Sequence, residues 1–303
     1  MNNELKPIHY FSRWARIMPK YGKIMALIEN TIRVENELVG IIPITNDIWV
    51  KDFMPFQRRD GRFIFYNYTP DYLRGGKEKY MTDGLTAFNS LFGEIKDLSE
   101  FCVYTNLIID GGNIIPCIDK FGKECVIMTD KVFKENPEWR KEDVILELRM
   151  IFLADIVFIP WDTEEEYGHA DGMVRSLGNG RLLLNCYQDM DEKFDFMLKD
   201  ALSDRFELCQ LNYGKHCRNL SWCHLNYLEL EKSILVPTVG IKSDDIALQQ
   251  IREYTDKRAI PLKMKEIVKE GGALHCISWT MKEPHRDIIE ILSDTSRDIY
   301  IEH

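Results

Sequence analysis

Ile156-Val157-Phe158-Ile159-Pro160 is followed shortly by Glu166-Tyr167-Gly168-His169-Ala170-Asp171-Gly172. An apolar run of strand length gives way to a polar run with glycines on either side of an imidazole and a carboxylate. In extended chain His169-X-Asp171 puts both side chains on one face, because strand side chains alternate with period two. The same succession recurs. Gly40-Ile41-Ile42-Pro43-Ile44 precedes Asn46-Asp47-Ile48-Trp49-Val50-Lys51-Asp52 and then Phe53-Met54-Pro55. Cys102-Val103-Tyr104 to Leu107-Ile108-Ile109 runs into Asp110-Gly111-Gly112-Asn113, where paired glycines let the backbone turn sharply or approach a ligand. Glu270-Gly271-Gly272 leads to Ala273-Leu274-His275-Cys276. Leu274 to Ile277 reads as a strand, which points His275 away from Cys276 and makes it a structural residue.

Further strands are expected at 62–66, 125–128, 182–186 and 234–237. Helical spacing appears at 76–93, 140–152, 191–204 and 244–256, where Ala247, Ile251 and Tyr254 form one stripe. Strands alternating with single helices make an α/β or α+β architecture. No Pro/Gly/Ser-rich linker divides the chain, so one domain over residues 1–303 is expected. Identity between the units is too weak to define a repeat. The acidic run from Asp191 to Asp200 reads as a solvated helix face.

Of the 303 residues, 45% are apolar, enough for a sizeable core and too many for a disordered chain. The formal net charge of −10 makes nucleic acid a poor partner and suits a small cationic ligand. No apolar run nears the eighteen or so residues of a membrane span, and Met1 to Pro7 lacks the order of a signal peptide, so a cytoplasmic protein is expected. Most of its eight cysteines are then expected as free thiols, one of them reactive. Cys209, His216, Cys217, Cys223 and His224 are ligand types, but their spacings do not match those that aim two ligands at one zinc. No metal or other cofactor is expected.

A thiol, an imidazole and several carboxylates supply a nucleophile, a proton carrier and a cation-binding group. On spacing alone the same residues also describe turn aspartates, a local histidine–aspartate bond and an inert core cysteine. Taken together and in order, the segments resemble the agmatine deiminase and bacterial peptidylarginine deiminase family of guanidino-group-modifying enzymes. Asn46 to Pro55 is similar to its Asn-Asp-x-Trp-x-x-Asp-x-x-Pro segment, Asp110-Gly111-Gly112-Asn113 to its acidic-Gly-Gly segment, and Gly168-His169-Ala170-Asp171 to its Gly-His-x-Asp. Gly271 to Cys276 is similar to its glycine-rich run ending His-Cys. Ser221-Trp222-Cys223-His224-Leu225-Asn226-Tyr227 resembles, with different spacing, its Ser-Tyr-x-Asn stretch. The resemblance spans roughly residues 40 to 285.

The resemblance implies an α/β pentein fold, a propeller of five ββαβ-type units around a pseudo-fivefold axis with the site in the central channel. It implies hydrolysis of a guanidine, agmatine first, to a ureido product and ammonia through an amidino-cysteine. Cys276 would be the nucleophile, His169 the acid and then the base, and Asp110 the residue that orients His169. Asp52 and Asp171 would clamp the guanidinium, with Asp47, Trp49 and Asn226 contacting substrate. An amidinotransferase, or a deiminase of free or peptidyl arginine, is the alternative within this chemistry. A two-metal hydrolase would need more converging ligands, and a binding-only pentein protein would not need the whole set. Relatives of this kind often self-associate, so a homo-oligomer is a further expectation. Two departures, the lack of an early tryptophan-containing segment and the bulky Phe53-Met54, sit where the far end of a substrate could lie.

Overall fold

The computed structural model describes residues 6–92 and 101–282. Among these residues the strands form five three-stranded sheets on one plan, an antiparallel pair extended by a parallel strand. β1 (Ile8–Ser12) and β2 (Leu38–Ile42) run parallel, joined through helix α1 (Gly22–Val34). β3 (Phe56–Gln57) and β4 (Phe63–Asn67) are antiparallel, and helix α2 (Gly84–Phe92) lies on the crossover to the parallel β5 (Cys102–Ile108). β6 (Ile115–Ile118), β7 (Glu124–Thr129), α3 (Lys141–Phe152) and β8 (Asp155–Ile159) repeat the plan. So do β9 (Val174–Gly178), β10 (Arg181–Leu184), α4 (Glu192–Ser203) and β11 (Glu207–Gln210). The fifth set is β12 (Leu228–Glu229), β13 (Ser233–Thr238), α5 (Lys242–Tyr254) and β14 (Arg258–Lys263). β15 (Ser278–Met281) then completes the first sheet, antiparallel to β1 with Tyr10 opposite Trp279.

A parallel pair needs a long crossover, and in every sheet the helix supplies it. The central strands β4, β7, β10 and β13 are largely apolar because both their faces are covered; β1 also buries His9 and Ser12. In β7, Val126 and Met128 pack with Val144, Leu148 and Ile151 of its own helix, while Ile127 packs with Val174, Leu182 and Leu198 of the following unit. In β13, Ile234 and Val236 meet Ala247 and Ile251 of α5, while Leu235 meets Met25, Ile28 and Ile32 of α1. The fifth unit therefore packs on the first, and the set closes.

Several local expectations change. The helix expected over 76–93 starts only at Gly84, because Asp83 accepts the Thr86 backbone N–H and sets the first turn; Glu78–Tyr80 is a separate 3-10 turn, and residue 93 lies outside the described residues. Leu274 to Ile277 is a turn and the strand begins at Ser278, since Ile277 N–H bonds back to Ala273 O. The run from Asp191 to Asp200 is not a uniformly solvated face. Asp191 caps α4 by accepting from Lys193 and Phe194 N–H, and Asp195 is buried against Lys199 and Gln210. Helix α1 and the strands β1, β3, β6, β9, β11, β12 and β14 are not among the elements expected from sequence; β3 and β12 have two residues each, which give no period to read.

Candidate active site

The reactive segments occupy the five connectors that leave the last parallel strand of each unit and lead to the next. Asn46 to Asp52 follows β2, Asp110 to Asn113 follows β5, and Gly168 to Gly172 follows β8. Asn226 follows β11, and Gly271 to Cys276 follows β14. Strand direction alone thus gathers them at one end of every sheet.

Hydrogen bonds link these connectors in order. Gly112 N–H donates to Asp52 Oδ1 at 3.0 Å, and His169 Nε2 bonds Asp110 Oδ2 at 2.8 Å. Asn226 Nδ2 donates to Asp171 Oδ2 at 3.3 Å, and its Oδ1 accepts the Cys276 N–H at 3.2 Å. Lys51 N–H donates to Cys276 O at 3.1 Å, which returns the chain of contacts to the first connector. The ring is closed.

Close approach explains the local sequence. A Cβ on Gly112 would lie 2.6 Å from His169 Nδ1 and 2.7 Å from Asp52 Oδ1, and one on Gly111 would overlap Lys51 O and the Tyr66 hydroxyl. Gly168 holds φ +62°, in the left-handed region that favours glycine, just before His169. A side chain at Gly272 would run into the Trp49 ring, so Trp49 packs directly against the loop that carries Cys276. Val50–Phe53 forms one helical turn that buries Asp52. Ala170–Gly172 is a 3-10 turn rather than the extended chain expected, yet it still delivers Asp171.

Cys276 Sγ lies 3.6 Å from Asp171 Oδ2, and His169 Nδ1 lies 3.6 Å from Asp52 Oδ1. Asp52, Asp110, His169, Asp171, Asn226 and Cys276 therefore belong to one buried group. Asp47 is half-buried on the same connector, its Oδ1 taken by the Ile48 N–H, and burial pushes its carboxyl up to about 6. Sequence reasoning missed His275. It does not point away as expected: in the observed turn, its Nδ1 donates to Asp171 Oδ2 at 2.7 Å. The periodicity argument failed there because it presumed a strand. Tyr72 and Tyr167, 6.0 and 6.1 Å from the His169 ring, also border the site and carried no motif.

Phe53 and Met54 do not line it. They are buried with Phe65, Tyr68 and Phe88, so this departure belongs to the core and not to a substrate's far end. The ligand-type side chains of 209–224 are engaged separately: His224 bonds Asp244 and Tyr213, Cys217 lies 3.9 Å from Cys186, and Cys209 meets Arg181. Among the described residues no three His, Cys, Asp or Glu side chains are grouped to hold a metal ion. No described helix is long and apolar enough to cross a membrane.

The electrostatics separate the carboxylates. Burial, with the charges of Asp110 and Asp171, pushes Asp52 up to about 7 against the pull of His169. Burial also acts on Asp171, but the His275 hydrogen bond and nearby positive charge outweigh it and bring the carboxyl down to about 2. Burial, helped by Arg175, keeps His275 down at about 3, so near neutrality it is a neutral donor to an ionised Asp171. His169 resists burial because Asp52, Asp110 and Asp171 surround it, and its pKa rises to about 9. Burial and the charges of Asp171 and Asp52 push the Cys276 thiol well up. A buried acidic cluster with a protonated thiol and an imidazolium is poised for a cationic ligand.

A family model for Porphyromonas-type peptidyl-arginine deiminase matches residues 3–284. The "Putative agmatine deiminase" of Enterococcus faecalis is 24% identical over 190 residues, half of this chain and half of that protein. That of Mycoplasma mycoides is 21% identical over 90% of this chain and 86% of the relative. Among solved structures, a cysteine-to-serine variant of C. jejuni agmatine deiminase with substrate bound superposes with TM-score 0.70 at 15% identity, covering 92% of this chain and 94% of that one. At that identity the last likeness speaks for the fold alone.

Proposed function

Because the chain belongs to the Porphyromonas-type peptidyl-arginine deiminase family and adopts the α/β pentein fold, we propose that it hydrolyses a guanidine to a ureido product and ammonia, with agmatine the first substrate. The closed ring of five connectors carries this reading. It supports one pocket in which a thiol, an imidazole and two unlike carboxylates face one another.

A guanidinium offers its N–H donors in a planar fork, which Asp52 and Asp171 accept as charge-assisted hydrogen bonds worth roughly 1.5–3 kcal/mol each. Its positive charge draws the proton off Asp52, whose carboxyl is pushed up to about 7 by burial. The same charge favours the Cys276 thiolate, and the thiol proton leaves to solvent. Sulfur attacks the central carbon and gives a tetrahedral adduct.

His169 enters as the imidazolium, with Nε2 held by Asp110 and Nδ1 as the remaining nitrogen. Nδ1 gives its proton to the departing nitrogen, the C–N bond breaks and ammonia leaves an amidino-cysteine. The neutral imidazole then takes a proton from water, hydroxide adds to the same carbon, and the second adduct gives up its hydroxyl proton to solvent as it expels the Cys276 thiolate and becomes the ureido product. Trp49, packed beside Gly272 next to the Cys276 turn, and Asp47 on the same connector as Asp52 would meet the rest of the substrate.

A panel of guanidines, agmatine, free arginine and a peptidyl arginine among them, assayed for ammonia and ureido product tests the proposal. Turnover abolished by Cys276→Ala with the fold intact is expected. Ammonia released only when an amine is added would replace hydrolysis by amidino transfer, and ammonia release unchanged in Cys276→Ala would end the covalent mechanism.

A further inference from the structure

Beside the backbone that presents His169 lies a second buried ionic group that the mechanism above does not use. Lys131 opens the helical turn Lys131–Glu135 after β7, and its side chain is 1% exposed. Its Nζ lies 3.1 Å from both Glu135 Oε1 and Asp71 Oδ1, and 5.0 Å from the centroid of the Tyr72 ring. The stem runs beside Gly168, where a Cβ would come within 3.1 Å of Lys131 Cδ. Lys131 is thus packed against the backbone that presents His169 and against the ring of Tyr72, which borders His169.

Among the described residues, Asp110 Oδ1, Lys131 Nζ and Glu135 Oε1 are buried atoms with no hydrogen bond of good geometry. An ion pair serving stability alone is expected to satisfy its own donors and acceptors. Here Asp110 turns one oxygen to His169, and its other oxygen is left without a bonded donor. The charge of Asp110 acts on both members of the pair, and Glu135 is pushed up to about 7 by burial and then by Asp110. Asp71 shares its charge with Lys134, 3.1 Å away, and does not answer Lys131 alone.

We propose that Lys131 is a positioning residue: it supplies the buried counter-charge to Asp110 and so limits how tightly His169 holds its proton, with Glu135 acting in the opposite sense. The inference rests on reading His169 as the proton carrier. An acid that must also serve as a base works best when its pKa lies near the working pH. Asp52, Asp110 and Asp171 all pull His169 upward, and Glu165 reaches it from the loop before Tyr167. The Tyr72 and Tyr167 rings facing it carry no opposing charge. Lys51 acts on Asp171 and Asp52 from the first connector, whereas Lys131, packed beside Gly168, feels the charge of Asp110.

The test titrates the His169 imidazole by NMR in the substrate-free protein and, in parallel, follows the pH profile of ammonia release. Lys131→Met should raise the His169 pKa by about one unit, Glu135→Gln should lower it by a similar amount, and the double variant should return close to the parent. The alkaline limb of the rate profile should move with it. Unchanged His169 titration in the folded variants, or single variants that shift it in the same sense, would overturn the proposal. Should Lys131→Met fail to fold, Glu135→Gln and the charge-neutral double variant still decide it. Opposite NMR shifts without turnover of any guanidine would uphold the electrostatic link and fault the assigned reaction instead.

Discussion

Gly112 has no room for a side chain, since a single methyl group there would press on His169 and Asp52 together. Gly112→Ala is expected to lower kcat/KM about 100-fold or more, because displacing either group by an ångström spoils its alignment. The fold should survive, with a cost of about 1–3 kcal/mol in urea unfolding. Titration adds a second expectation. The folded pKa of His169, about 9, lies above its ordinary value near 6.5, so the stability this group lends is complete below that value and lost as pH rises through 9. Asp171, brought down to about 2, has the opposite sign: its contribution is present above the ordinary carboxylate range and lost as pH falls through 2. Urea midpoints should therefore fall between pH 7 and 9, and fall less in His169→Asn. Equal declines in the two proteins would show that the imidazolium is not held in the fold.

Between elements, the first sheet carries the tightest requirement. Tyr10 of β1 lies opposite Gly40 of β2, and its ring would collide with any side chain there. The same ring packs 5.4 Å from Trp279 of β15, whose Nε1 donates to Pro55 O. Gly40→Val should push Tyr10 off Trp279 and cost about 1–3 kcal/mol in urea unfolding. Because β15 follows directly on the Cys276 turn, a loss of ammonia release beyond the unfolded fraction is expected too. The strands of this sheet show what was readable. Residues 40–44 are apolar and close to the observed β2, whereas β15 was placed four residues early, over the Leu274–Ile277 turn. An apolar run tells that a segment is buried but not whether it is extended or coiled.

In the whole molecule, five connectors hold one another through a few polar bonds, and Asn226 makes two of them. Asn226→Ala removes the links to Asp171 and to the Cys276 backbone together. A fall in kcat of about 100-fold is expected, with only a modest loss of thermal stability because each unit keeps its own helix-covered sheet. A variant with unchanged kcat would show that the fifth connector needs no support from the fourth. The arrangement also explains why no repeat was visible. The units share strand order and crossover helix, while their connectors carry different residues for different tasks, so the plan repeats and the sequence does not.

The sequence by itself determined that the chain alternates apolar strands with amphipathic helices and that polar, glycine-containing segments follow strand ends. Alternation and burial are local properties, and each can be read within ten residues. The runs that hold Asp52, Asp110, His169, Asp171 and Cys276 were equally legible as polar segments beside glycines, although spacing alone left each residue a structural reading as well. Only the tertiary structure decided that Asn226 bridges Asp171 to Cys276, that His275 faces Asp171, that Phe53 and Met54 are core, and that Lys131 packs beside Gly168 and Tyr72. Those facts depend on contacts between residues tens to hundreds of positions apart. Such contacts are fixed by how the five sheets close on one another, and local pattern carries no record of that closure.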